Sequence, residues 1–448
     1  MRSYGDSTSY SVERMHSLLA LRFVSILLPL LPVFWLTGTI LPVFLLASAL
    51  WLLWYRMPLK EGWLLLVLII WLVGRAWFFG MSGESTGRFM ASVYNSMNWF
   101  IGLSFFLMGR CLLQGIVEDT PLRQLFLRRM TVLIWVIIVW YIFFTLFGHA
   151  TGKQELVFRV PGLAPIFDNA PKAIQNMFTL NIIAYDWFLG RPAYRANFLG
   201  SAHVAGGFIC LTLIVIFYIV RMLSGAQRSL LSWIGIFSIL LGSLSRALMA
   251  TCFVAGGFAL TWFQKRGSRL QLQVSFITGM LILLCIPVLF FVWDDIVNFM
   301  VSSRQGSSDD RMKIYTLGFI YTWGSHPFIG LGNKPMVEGF EYPIGSHSTL
   351  MSLFVKGGLV AFGIFMCFMM VTLGRWWHVI LQGFGSHGEK TTTDIKITRF
   401  FFVYTFMFVG FFLTSDIDAE PATAAVSFLT LGLLVAWFDY LKSGKQYG

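Results

Sequence analysis

Two arginines and a histidine between positions 294 and 349 carry the clearest chemistry in this chain. Arg304 and Arg311 stand seven residues apart in Ser302-Ser-Arg-Gln-Gly-Ser-Ser-Asp-Asp-Arg311. A guanidinium keeps its charge at any working pH and offers a planar fork of donors that matches a phosphate. Ser308 reads as an N-cap, with Asp309 and Asp310 in the first turn that follows. Arg311 then sits at a helix N-terminus, where backbone amides add to the pull on an anion. The plainer reading is a solvated loop in which Arg311 pairs weakly with Asp309 or Asp310. Further on, His347 lies in Gly345-Ser-His-Ser348 at the head of an apolar run. An imidazole titrates near neutrality and can take a proton from an attacking hydroxyl, and small neighbours leave room for a sugar. Ser346 or Ser348 also suits a helix cap.

Other polar residues interrupt apolar stretches. Arg246 follows Ser243-Leu-Ser and precedes Ala247-Leu-Met. Placing an arginine at the centre of a span costs about 2.5–3.5 kcal/mol, so it is expected to face a wet cavity or an anion, unless it snorkels to headgroups. His203 opens another apolar run after Gly200-Ser-Ala. A histidine there is more often a cap, and it is held as a substrate-binding candidate. Arg191 and Arg195, in a long polar loop, and Ser348 join it, while His326 before Pro327 reads as structural. Arg75 and Arg110 either pair with backbone carbonyls or line a cavity; Glu84 is about 13 Å from Arg75 along a helix axis, too far to pair directly. Lys356 falls about 13–14 Å below His347 and could face the same cavity. Asp294-Asp295 and Asp309-Asp310 do not converge, since adjacent helical residues diverge by about 100°. Neither a metal-ligand cluster nor a Walker motif stands out, so no metal or other cofactor is expected.

These residues need elements to hold them. The chain has 448 residues, of which 57% are hydrophobic and 12% charged, and its mean hydropathy is +0.72. A soluble chain carries about twice that charged fraction. Apolar runs of about twenty residues, each able to cross a hydrocarbon core of about 30 Å, point to an all-α polytopic membrane protein rather than a β-barrel. We expect about twelve spans, near 17–37, 39–55, 63–80, 97–113, 131–148, 202–222, 229–244, 246–264, 273–293, 348–374, 398–414 and 422–441. The seventh and eighth form a tight hairpin. The five cysteines lie inside apolar runs without metal-ligand spacing, so disulfides and zinc are not expected. No cleavable signal peptide is evident.

Arginine and lysine cluster in every second short loop, including 56–60, 123–129, 221–228, 265–269, 390–399 and 442–445. By the positive-inside rule that side and both termini are cytoplasmic. The net charge of +12 is accounted for by this bias and by anionic headgroups, without nucleic acid. The whole chain, 1–448, reads as one integral-membrane domain. Two long loops, 149–201 and 294–349, face outward, and the second carries the candidate motif. In the second, Met312, Tyr315, Phe319 and Trp323 predict an amphipathic interfacial helix ended by His326-Pro327, with Gly330 and Gly332 permitting a sharp return. In the first, Ile174, Met177, Phe178 and Tyr185 suggest a second one.

Across residues 195–375 the order of these pieces resembles the O-antigen polymerase and O-antigen ligase superfamily. The resemblance rests on Ser245-Arg246-Ala247 opening an apolar helix, Arg304 and Arg311, the run His326-Pro-Phe-Ile-Gly-Leu-Gly332, and His347-Ser348. It implies a GT-C-like helical fold and metal-independent, inverting glycosyl transfer at the outer face of a bacterial inner membrane. The implied donor is a glycan on undecaprenyl pyrophosphate. Arg246 and Arg311 would bind the pyrophosphate, Arg304 would assist, and His347 would act as general base. The leading expectation is a polymerase of O-antigen or exopolysaccharide repeat units, with a flippase and a chain-length regulator as companions. The alternatives are a ligase moving the glycan to lipid A-core, and a transporter or flippase with arginines along its path. A transporter would favour repeated halves and mid-membrane charges. No repeat is evident, and the charges gather at the outer surface.

Overall fold

The computed structural model describes residues 6–81, 86–153, 155–160, 179–188, 191–200, 203–225, 230–243, 245–262, 305–337, 343–376, 379 and 392–443. The described helices run α1 (Asp6–Leu27), α2 (Leu31–Leu36), α3 (Ile40–Trp54), α4 (Gly62–Met81), α5 (Thr86–Glu118), α6 (Thr120–Thr151), α7 (His203–Leu223), α8 (Leu230–Ser243), α9 (Arg246–Trp262), α10 (Gln305–Ser325), α11 (Thr349–Leu373), α12 (Thr392–Thr414) and α13 (Pro421–Ser443). Six are long and apolar enough to cross a membrane, and four shorter apolar helices accompany them. The chain is a mostly helical, multi-pass membrane protein. Eleven of the twelve expected spans fall on helices; the ninth, 273–293, lies outside the described residues. The first is divided into α1 and α2 around Leu28-Pro29-Leu30, because proline lacks the amide that would continue the helix.

The core is built around α13, whose apolar window is 94% buried. It lies against α5 with two glycines at the contact. A Cβ on Gly109 would collide with the Leu429 carbonyl, and one on Gly432 with the Phe106 carbonyl. Between lipid-embedded helices, such small residues allow the close backbone approach that packing needs. Ring contacts extend the core from Trp99 and Phe106 of α5, through Phe428 of α13, to Phe365 and Phe368 of α11.

The first long loop differs from the expectation. Its described part is a three-stranded antiparallel sheet in the order β1-β2-β3, formed by Glu155–Arg159, Thr179–Phe188 and Arg191–Ala196. Tyr185, expected on a helix, pairs with Tyr194 in the sheet; Ile174, Met177 and Phe178 lie outside the described residues. Thr179–Phe188 is rich in β-branched and aromatic residues and finds strand partners on both sides, so pairing overrides a helical spacing. Tyr194 packs against Gly148 and His149 at the end of α6.

The helix expected in the second loop is α10. It begins at Gln305, a turn before Ser308, so Ser308 is not its cap and Arg311 stands in its second turn. It ends at Ser325, before His326-Pro327, as the proline requires. Its packed face is Ile314, Gly318 and Thr322, laid against α11. Met312, Phe319 and Trp323, the residues expected to face the interface, remain largely exposed, with Phe319 also stacked on Phe354 of α11. The small Gly318 permits the contact: its backbone passes close to Gly345.

Two ends of the bundle can be distinguished. Thr349, at the head of α11, bonds to Ser415 just before α13, whereas Arg375, beyond its tail, bonds to Asp439 near the end of α13. The sheet, the turn 415–420 and the 343–348 turn share the first end, because Thr179 and Leu180 of β2 line one cavity together with Glu420 and Pro421. The second end carries Arg110, Glu61, Arg375 and Asp439 in one charge network.

Candidate functional site

His347 occupies the last turn before α11, with φ +66. Among the described residues, Lys60 and Leu199 are the other non-glycines with positive φ. For a residue with a Cβ this conformation is strained, by about 1–3 kcal/mol, and it persists only where surrounding contacts over-determine it. Those contacts are visible. Tyr315 of α10 donates its hydroxyl to the His347 carbonyl at 2.7 Å. The Ser346 amide donates to the Pro343 carbonyl at 3.2 Å, and the Ile344 amide to the Pro335 carbonyl at 3.0 Å. Ser348 is the N-cap of α11, accepting from the Met351 amide. Thr349 then pins the helix head to the acidic turn: its amide and hydroxyl donate to the Ser415 carbonyl, and its hydroxyl accepts from the Ile417 amide at 2.9 Å. The imidazole is half-buried.

Below this head, α11 is broken. Gly358 has φ +66 and ψ −163, which no helix accommodates. The run after α10 fills the break and satisfies the backbone groups it frees. Leu331 and Gly332 donate to the carbonyls of Val355 and Lys356 at 2.7 and 2.9 Å. Leu359 and Val360 donate to the carbonyls of Pro327 and Phe328 at 2.8 and 3.2 Å. Trp71 donates to the Gly357 carbonyl at 2.9 Å. Irregular backbone at membrane depth requires such complete pairing. Glycine is required on both sides of the contact, since a Cβ on Gly330 would collide with the Gly358 amide and one on Gly358 with the Phe328 carbonyl.

Arg75 of α4 supports this run by donating to the carbonyls of Ile329 and Gly330 at 2.9 and 2.8 Å. Of the two roles open to it, carbonyl pairing is the one adopted. Arg110 takes the other: it lines a cavity with Tyr55, Lys60 and Asp439 at the far end, where it also pairs with Glu61 and Asp439. Lys356 does not face a cavity with His347. It is buried in an ion pair with Asp418, which also accepts from the Trp99 indole at 2.8 Å, while Asn98 donates to the Asp418 carbonyl. A second pair, Lys334 with Asp416, lies beside it. Burial pushes the Asp418 carboxyl up, but Lys356 and Lys334, with hydrogen bonds from Lys356 and Trp99, more than offset this and hold it below the usual range. Asp416 is driven the other way, by burial and by the charge of Asp418. Nothing in the acidic turn's composition distinguishes it from an ordinary external loop. The available signal is Lys356, a lone lysine inside an apolar stretch, since Asp418 is one of three acids in Ser415-Asp-Ile-Asp-Ala-Glu420.

The remaining candidates are placed by their backbones. Arg311 stands one turn before Tyr315 on α10, and Tyr315 is the residue that bonds to the His347 turn. Arg246 is the first residue of α9, whose Thr251 packs against Gly410 of α12, four residues from the end that leads into Ser415. His203 opens α7, and Arg191 opens β3 across from Phe188. The described features of Arg246, Arg311, His203 and Arg191 stop at the backbone, and Arg304 lies outside the described residues. Arg195, in β3, is 1% exposed and belongs to the interior. Elements carrying Arg246, Arg311 and His347 thus share one end of the bundle, with a left-handed histidine turn against the second of them.

No curated protein matches the chain. A family model described as O-Antigen ligase matches residues 230–366, from the start of α8 into α11, a stretch that is similar to that family.

Proposed function

We propose that this protein is a metal-independent, inverting glycosyltransferase. It would polymerise undecaprenyl-pyrophosphate-linked repeat units of O-antigen or exopolysaccharide at the periplasmic face of the inner membrane. The observation that carries the reading is the strained His347 turn, held by Tyr315 on the helix that also bears Arg311. Strain of this kind gathers where a side chain must be presented in one orientation.

In this reading the acceptor hydroxyl attacks the anomeric carbon of the donor from the face opposite the diphosphate. The new carbon–oxygen bond forms as the carbon–oxygen bond to the diphosphate breaks, and the hydroxyl proton passes to the His347 imidazole. Arg311 and Arg246, assisted by Arg304, face the charge that grows on the leaving diphosphate. A preorganised donor of this type is worth about 2.7–4 kcal/mol where removal has been measured in an oxyanion hole. His203, Arg191, Arg195 and Ser348 are the candidates for holding the glycan. Burial of Arg195 and the capping role of Ser348 favour structural duties for those two. The donor's own diphosphate supplies the driving force. A second reading, transfer of the finished glycan to lipid A-core, is favoured by the description of the matching family model.

The test is transfer by the purified protein supplied with lipid-linked repeat units. H347A and R311A should each abolish transfer with the amount of folded protein unchanged, and EDTA should leave the wild-type rate unaltered. Retained transfer in either variant rejects the assignment. A ladder of longer lipid-linked chains supports polymerisation, whereas product formed only on added lipid A-core supports ligation.

A further inference from the structure

Arg75 lies within the apolar stretch of α4, where an arginine is costly unless it has partners. Its partners are the carbonyls of Ile329 and Gly330, 254 and 255 residues away. These carbonyls belong to the short run that leaves α10 and enters the break in α11. Ser92 of α5 adds a third hold, donating to the Gly332 carbonyl at 3.1 Å. The run fixes two things together. At one end it sets where α10 stops; through Leu331, Gly332, Leu359 and Val360 it sets how the upper half of α11 leaves the lower half. The upper half carries His347 at its head, and α10 reaches that same turn through Tyr315. The Arg75 guanidinium is thus joined to the backbone of His347 through the braced run, α10 and the Tyr315 hydroxyl.

We infer that Arg75 is a positioning residue for glycosyl transfer, setting the placement of His347 against α10 through the braced break in α11. This rests on the transferase reading given above. The fork geometry matters: two carbonyls are held from Nε and Nη2 at once, which a lysine cannot reproduce. A displacement of about 1 Å at a reacting group can cost about 100-fold in rate.

The experiment uses the full-length protein in nanodiscs, with lipid-linked repeat units, comparing wild type, R75A, R75K and H347A. R75A and R75K should remain folded by size-exclusion profile, with kcat about 100-fold lower, KM little changed and an unaltered pH profile. Added methylguanidinium should recover part of the rate of R75A and none of H347A. A purely structural arginine would lower the yield of folded protein without a kcat deficit that methylguanidinium repairs. A wild-type kcat per folded molecule in R75A, or a deficit with no such recovery, overturns the inference. If R75A does not fold, W71F, which removes the indole from the same break, decides: lowered kcat at unchanged KM supports it, and unchanged kcat overturns it. An active H347A removes the transferase reading and this inference with it. A dead H347A beside a normal R75A removes this inference alone.

Discussion

Asp418 shows at the level of one residue how the site end is kept in register. It sits three residues past Ser415, the partner of Thr349, and it joins the turn to α11 through Lys356 and to α5 through Trp99 and Asn98. Removing one partner of a buried ion pair typically costs about 3–5 kcal/mol, because the other charge is left uncompensated. D418N should therefore be clearly less stable than wild type at neutral pH. The pH dependence has a definite sign. The folded pKa of Asp418 is lowered, so its contribution is fully present above its unfolded value, about 3.9, and is lost as pH falls through the folded value. Asp416 acts in the opposite sense, and because the charge of Asp418 contributes to its raised pKa, D418N relieves part of that cost and narrows the difference at neutral pH. Thermal unfolding of wild type and D418N should thus converge as the pH drops below about 4. A constant difference from pH 7 to acid would contradict the role assigned to this carboxylate.

At the scale of elements, the break in α11 joins the Gly/Pro-rich run to the histidine turn. Gly358 has a backbone conformation open essentially to glycine, and a Cβ there would collide with the Phe328 carbonyl. G358A should lower the melting temperature and reduce transfer, with a backbone cost of about 1–3 kcal/mol before the collision is counted. Gly363, one turn further along the same helix, has open space where its Cβ would lie. G363A should be neutral or stabilising by up to about 1 kcal/mol, as helix propensity favours alanine. Equal effects at the two positions would show that the break is not a specific feature. The His326–Gly332 run is readable from sequence as a sharp return, and α10 as a helix stopping at Pro327, because proline and glycine act locally. The docking of that run into another helix is not readable, since the partners of Gly330 at Gly358 and of Arg75 at Ile329 are set by tertiary packing. Tyr185 shows the same limit: apolar spacing alone does not reveal that β1 and β3 pair on both sides of its strand.

At the scale of the whole molecule, α11 and α13 run the same way between two polar ends of different character. One end joins the His347 turn, the acidic turn and the sheet; the other closes on the network of Arg110, Arg375, Glu61 and Asp439. Hydrophobic runs make the bundle legible in the amino-acid sequence, because burial in lipid is written in composition. The arginine and lysine bias of the short loops gives an expectation of which side each end faces. On the expectation drawn from that bias, the His347 end would face outward, where the proposed lipid-linked donor would be met, and the charge network would face inward. Exposed Lys153, beside the end of α6, should then be outside, and Lys442, in the last turn of α13, inside. In a background with the native cysteines replaced, a single cysteine at 153 should react with a membrane-impermeant maleimide once the outer membrane is permeabilised. One at 442 should react only after the inner membrane is also opened. The reverse pattern would put His347 among cytosolic sugars and nucleotides, with no access to the proposed donor, so orientation bears directly on the chemistry.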